Sequence, residues 1–276
     1  MNMLNAVILG IIQGITEFLP VSSSAHLVIF QQFLGLVEPD VLFGVCLHLG
    51  TLVAVVAFYR RQVAGLFAEI WWMLRNVRRL EELEAAFSGR PALKAAILII
   101  VGIIPTGIIG VTLKHQFEAF FSSLLGVGLA LIITGLILLG TYRMSNSSRR
   151  MYRMGILDAV IIGMVQGFAA VPGISRSGST IAAALYLGLN RRVAVTFSFL
   201  LSIPSILGAL ILKLHESHRT ALSLGPTLAG TLVAALVGYL TIKLLVKIID
   251  QGRFWLFAPY CVLVGLGAVV YELMST

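Results

Sequence analysis

The sequence predicts an all-α polytopic membrane protein, with six transmembrane helices and two re-entrant helix-loop-helix hairpins in an inverted-topology repeat. Three observations carry this. Apolar residues make up 58% of the 276 residues, charged residues only 12%, and the mean hydropathy is +0.98; soluble domains hold about 25% charged residues. Six apolar stretches are long enough to cross a hydrocarbon core, which takes about 20 helical residues. Two further apolar stretches are broken in the middle by polar segments containing proline, and these two resemble each other. The same composition excludes a disordered chain, a nucleic-acid module and a disulfide-stapled secreted domain.

Residues 2–36 form the first hairpin, apolar except for the break Leu19-Pro20-Val21-Ser22-Ser23-Ser24. Spans follow at 41–59, 95–113 and 119–142. Within the polar segment 62–91, Phe67, Ile70, Trp71 and Leu74 recur at near-helical spacing, which predicts an interfacial helix. Residues 155–190 form the second hairpin, broken at Pro172-Gly173-Ile174-Ser175-Arg176-Ser177-Gly178-Ser179-Thr180. Spans at 193–212, 224–247 and 254–274 complete the chain, and Pro105 and Pro204 read as kinks. Irregular backbone at membrane depth survives only where protein or a water-filled cavity covers it, so each break marks a covered place. One integral membrane domain, 1–276, holds repeat 1 (about 1–150) and repeat 2 (about 151–276). The apolar start has no Lys or Arg before it and no clear small-residue cleavage site, so no cleavable signal peptide is expected. Cys46 and Cys261 sit in apolar runs and read as small buried hydrophobes.

The net charge of +8 is a topology signal. With the first hairpin entering from outside and the second from inside, 16 of the 20 Lys and Arg face the cytoplasm. Lys114, Lys213 and Arg219 face out, Arg176 lies within a break, and both termini are outside. The hairpins are repeats. Residues 4–14 match 157–167 at seven of eleven positions, and after a one-residue gap Pro20 pairs with Pro172 and Ser23 with Ser175. Opposite orientations make this an inverted repeat, whose site is expected at the repeat interface near the midplane.

The breaks carry the chemistry. Gln13 and Glu17 are four apart and share a helix face. An acid inside an apolar segment is costly and points to function. Ser22, Ser23 and Ser24 open the second half-helix, whose amides and dipole favour an anion, and His26 lies about one turn further in. The second break supplies Arg176 between Ser175 and Ser177, with Gly173 before it and Thr180 one turn on. A guanidinium at that depth wants an anionic partner, and its planar fork suits phosphate. Aligned by the repeat, Glu17 faces Ala170, His26 faces Gly178 and Arg176 faces Ser24. One copy holds the acid and imidazole and the other holds the arginine, so the two make one composite site for phosphoryl transfer. Structural alternatives stand beside this: an N-cap for the serines, a hydrogen-bonded structural role for His26, and a proton or ion site for Glu17. Gln13 and Gln166 occur in both copies, which also suits a hairpin-backbone role. His48, His115, His215 and His218 belong to no motif.

Together, Gln13 to Glu17, Pro20 to Ser23 with His26, and Pro172 to Thr180 resemble the undecaprenyl-pyrophosphate phosphatase family of the bacitracin-resistance type. The resemblance covers essentially the whole chain. Two departures stand out: Gln13 where many members have Glu, and Ser24-Ala25 where a Thr-Gly pair is common. The resemblance implies removal of the terminal phosphate of undecaprenyl pyrophosphate, a site facing the outer side of the bacterial cytoplasmic membrane, and bacitracin tolerance. It also implies a divalent cation, Ca2+ or Mg2+. On that basis Ser23 is the expected nucleophile and His26 the general base or acid, with direct attack by His26 as the alternative. Glu17 would orient His26 or hold the metal, and Arg176 would hold the pyrophosphate. Gln13, Ser22, Ser24, Gly173, Ser175, Ser177 and Thr180 would line the pocket. The expected partners are the prenyl pyrophosphate lipid and membrane lipids, with no nucleic acid; a homodimer is left open. The rival function is a transporter or flippase of a phosphorylated prenyl lipid or an anion, because inverted repeats with broken helices also build carriers.

Overall fold

The structure, a computed structural model, describes residues 2–33, 41–121, 123–144, 148–216 and 223–275. The first hairpin is α1 (Met3–Thr16) and α2 (Ser23–Phe33), and residues 34–36 of its expected extent lie outside the described residues. Asn2 caps α1, its Oδ1 accepting from the Asn5 amide at 2.8 Å. Next come α3 (Val41–Phe58) and α4 (Arg60–Asn76), which leaves α3 at a bend of 82°. The polar segment expected as one interfacial helix is two, because α5 (Leu80–Gly89) starts afresh where Glu82 accepts from the Arg78 amide at 2.8 Å. On α4, Phe67, Trp71 and Leu74 are exposed, with Arg75 over the Trp71 ring. Arg90 ties α5 to α4, pairing with Glu69 and stacking over Trp72.

Beyond these lie α6 (Pro91–Thr112), α7 (Lys114–Phe121) and α8 (Leu124–Gly140). The span expected from residue 119 starts at Leu124, because Ser123 caps it, its Oγ accepting from the Gly126 amide at 3.1 Å. The second hairpin is α9 (Ile156–Phe168) and α10 (Arg176–Tyr186). Its two ends are tied by Arg149, which binds Asp158 at the start of α9 and the Leu187 carbonyl after α10. The chain closes with α11 (Arg191–Glu216), α12 (Leu224–Asp250) and α13 (Phe257–Ser275). Pro105 and Pro204 lie inside α6 and α11, which run on past them. Among the described residues, five helices are long and apolar enough to span a membrane, or six if α3 and the bent α4 count as one span. No strand occurs among the described residues.

The two halves exchange partners. α1 packs on α12, α9 packs on α6, and α8 packs on α13. The exchange is written in glycine. A Cβ on Gly10 would stand 2.5 Å from the Gly230 carbonyl oxygen, and one on Gly163 would stand 2.0 Å from that of Gly102. Gly10 and Gly163 are counterparts in the sequence repeat. Small residues let helix backbones approach closely where lipid supplies no hydrophobic drive for association. Away from these seams, α12 shows lipid a stripe of Leu228, Leu232, Leu236, Leu240 and Leu244, all exposed at four-residue spacing. Its opposite face, with Gly230, Ala234 and Gly238, is buried. The residues of both breaks are largely buried between these helices.

Candidate active site between the two broken helices

The first break is a bent turn with one strained residue. Ser22 has φ 66°, in the left-handed region that costs a side-chain-bearing residue about 1–2 kcal/mol. Neighbours hold it there. His26 donates from Nδ1 to the Ser22 carbonyl at 2.8 Å, and Ser22 Oγ lies 3.1 Å from Ser24 Oγ. Cys261, buried as its apolar run implied, donates to the Pro20 carbonyl at 3.3 Å. The turn aims Ser23 at Glu17: Ser23 Oγ donates to Glu17 Oε2 at 2.7 Å.

The second break turns at Gly173, φ 96°, where a Cβ would stand 2.4 Å from the Val127 carbonyl oxygen. Thr134 of α8 clamps it, donating to the Gly173 carbonyl and accepting from the Ser175 amide, each at 3.1 Å. Ser175 caps α10, its Oγ accepting from the Gly178 amide at 3.1 Å. The two breaks then join. Gly173 donates its amide to Ser24 Oγ at 3.4 Å, and Ser177 Oγ donates to the Leu19 carbonyl at 3.3 Å. Above all, Arg176 Nη2 donates to Glu17 Oε1 in an ion pair.

Glu17 is the hub. Its side chain is 3% exposed, and Arg176 neutralises it at a depth where a lone carboxylate would be expensive. Besides Ser23, its Oε2 accepts from Gln13 Nε2 at 3.0 Å. The same Gln13 amide lies 3.0 Å from His48 Nδ1, which is itself 3.5 Å from Glu17 Oε2. Gln166, the repeat counterpart of Gln13, donates to Ser205 Oγ at 2.6 Å. Gln13 therefore binds the side chains of Glu17 and of His48 on α3, and Gln166 binds Ser205 on α11, rather than only the hairpin backbone.

A cavity of ≈ 650 Å³ opens from this hub. Glu17, Ser23, Ser24, Ser175, Arg176 and His48 line it, and the rest of its wall is largely apolar, from α6 and α11. Lys114, which follows the end of α6, and Lys213, near the end of α11, also line it. Ser177 and Thr180 face a smaller chamber instead. Gln13 backs Glu17, while Ser22 and Gly173 shape the turns.

His26 stands apart from this group. It is 4% exposed and is not among the residues lining the cavity. With Nδ1 on the Ser22 carbonyl, its Nε2 accepts from the Tyr260 hydroxyl at 2.6 Å. Sequence reasoning passed over His48, Thr134 and Tyr260. For His48 a signal existed: it is a polar side chain inside an apolar span, the same feature that singled out Glu17. Thr134 and Tyr260 carried none, since their roles depend on α8 and α13 packing against the breaks.

Among the described residues, no group of three or more His, Cys, Asp and Glu could hold a metal ion. Glu17 is the one carboxylate among the described residues that line the cavity, and both its oxygens take protein donors. The described residues do not fit a resident cation site.

A carboxylate holding a serine hydroxyl beside an arginine, at the head of a largely apolar cavity, suits transfer of a phosphoryl group from an amphiphile. The comparisons with known proteins agree with the two sequence motifs. The family described as "Bacitracin resistance protein BacA" matches residues 6–267. An undecaprenyl-diphosphatase of Desulforapulum autotrophicum is 44% identical over 271 residues, covering 98% of each chain. One of Desulfosudis oleivorans is 46% identical over 269 residues, covering 96% of this chain and 97% of its own. One of Methanosphaera stadtmanae is 40% identical over 275 residues, covering 99% of each. The chain belongs to the BacA bacitracin resistance family.

Proposed function

We propose that the protein hydrolyses undecaprenyl diphosphate to undecaprenyl phosphate and inorganic phosphate, recycling the lipid carrier for peptidoglycan synthesis. The observation that carries this is the meeting of Ser23, Glu17 and Arg176 at the head of the cavity, in a chain whose relatives are named for that activity. Bacitracin tolerance follows, because the drug and the enzyme take the same diphosphate.

In this reading Arg176 turns from Glu17 to the diphosphate, and Glu17, relieved of its counter-ion, accepts the Ser23 proton. Ser23 Oγ attacks the terminal phosphorus, and the bond to the bridging oxygen breaks. Undecaprenyl phosphate leaves, and water then hydrolyses the phosphoserine. Glu17 takes the place expected of His26 because it holds the Ser23 hydroxyl. His26 props the strained Ser22 turn. Ser24 and Ser175 line the phosphate end, and the prenyl chain follows the apolar wall toward lipid. A Ca2+ or Mg2+, which the described residues do not fit as a resident ion, would neutralise charge on the diphosphate. All these groups come from one chain, so the reading needs no homodimer.

The protein is multi-pass. We place it in the bacterial inner membrane with both termini and the cavity mouth on the periplasmic side. The support is the charge bias, together with Lys114 and Lys213 at the cavity. The test is phosphate release from C15 and C55 prenyl diphosphates by purified protein. Release that is lost in Arg176→Ala supports the reading. No release by wild type, with lipid or anion movement across vesicles, would favour the transport alternative.

A further inference from the structure

Beside the cavity lies a chamber of ≈ 10 Å³. Among the described lining residues, Glu17 and Arg176 are the only two that chamber and cavity share, so the ion pair stands as the partition between them. Four hydroxyl-bearing residues line the chamber, Ser177, Thr180, Ser198 and Ser202. Phe18 and Phe199, packed edge to face at 5.6 Å, form its apolar wall.

Three of the hydroxyls are satisfied by protein. Ser177 donates to the Leu19 carbonyl, Thr180 to that of Arg176, and Ser202 to that of Phe199. Ser198 differs. It is 2% exposed, and its buried Oγ has no hydrogen-bond partner among the described residues. Buried hydroxyls are ordinarily paired with protein or ordered water. One water needs about 10–15 Å³ and two to four polar partners. This chamber offers the space, the unpaired hydroxyl, a carboxylate and a guanidinium with five donors.

We propose that the chamber is a binding site for one water molecule, which pairs with Ser198, accepts from Arg176 and donates to Glu17. The water holds the ion pair from the side away from the cavity. When substrate draws Arg176 away from Glu17, the water stays bound between the separated guanidinium and carboxylate and steadies both from the chamber side. Ser198 is then a positioning residue that acts through Arg176 and does not touch substrate.

The test is an experimental structure at a resolution that shows core waters, for wild type and Ser198→Val, whose side chain fills the chamber. Phosphate release from farnesyl diphosphate is measured on the same preparations. The expected result is density within hydrogen-bond distance of Ser198 Oγ in wild type and none in Ser198→Val. The kinetic expectation is kcat lowered about tenfold with KM within about twofold. Ser198→Ala, a gentler change, should weaken the density and lower kcat in the same sense if the valine variant does not accumulate. An empty chamber in wild type, or a substituted enzyme with wild-type kcat, overturns the proposal. Only the kinetic arm rests on the diphosphatase reading; absence of phosphate release by wild type would sink that reading, while the density still decides the water site.

Discussion

The Glu17 carboxylate and the Arg176 guanidinium, 159 positions apart in the chain, form the ion pair that joins the two broken helices. Each comes from a different copy of the repeat. Neither copy could supply both, because the counterparts are Ala170 and Ser24.

The pair gives the first prediction. Arg176→Lys keeps the charge and loses the planar fork. It should keep a melting temperature near that of wild type and lose about a hundredfold in kcat. Glu17→Gln removes the acceptor for the Ser23 proton and should lose at least about a hundredfold. Thermal melting and phosphate-release kinetics on purified variants check both. Wild-type turnover in Arg176→Lys would be inconsistent with a fork on the diphosphate.

A second prediction separates the two histidines. Tyr260→Phe removes the hydroxyl that His26 accepts, and should cost about 1 kcal/mol of stability while leaving the pH profile of kcat unchanged. His48→Ala takes a cavity-lining ring from Gln13 and Glu17 and should lower kcat about tenfold. A pH profile displaced by Tyr260→Phe would return His26 to the proton-transfer role.

The third concerns the exchanged packing. Gly163→Ala forces a methyl onto the Gly102 backbone and should destabilise by about 3 kcal/mol. At Gly107, which faces the cavity, a Cβ meets nothing within 4 Å, so Gly107→Ala should melt like wild type. Equal melting temperatures for the two variants would contradict the close helix contact.

Much of this architecture was legible in the sequence, for physical reasons. Apolar length predicts the spans, and proline and serine at depth predict the breaks. The repeated Gly10 and Gly163 fall at the helix contacts. At the site, Glu17 and Arg176 stood out because charge inside an apolar run is costly. What sequence did not carry was direction. Ser22 to His26 all lie at one short half-helix start, where a left-handed Ser22 precedes Ser23, which meets Glu17, while His26 meets Tyr260. His48 lacked a motif because its partner, Gln13, sits on another helix.

A fourth prediction follows from the donor set. Titrating Ca2+ or Mg2+ into substrate-free protein should give no saturable site by calorimetry. Chelation should slow turnover by raising KM for the diphosphate. A saturable site in free protein that disappears in Glu17→Gln would show a resident metal instead.

The central claim is that Ser23, held by Glu17, attacks the diphosphate that Arg176 binds. Rapid-quench trapping with a prenyl diphosphate labelled in its terminal phosphate tests this most directly. The account predicts a transient phospho-enzyme whose label maps to Ser23 and is absent in Ser23→Ala. Label on His26 or His48, or a labelled enzyme that persists in Ser23→Ala, would contradict it.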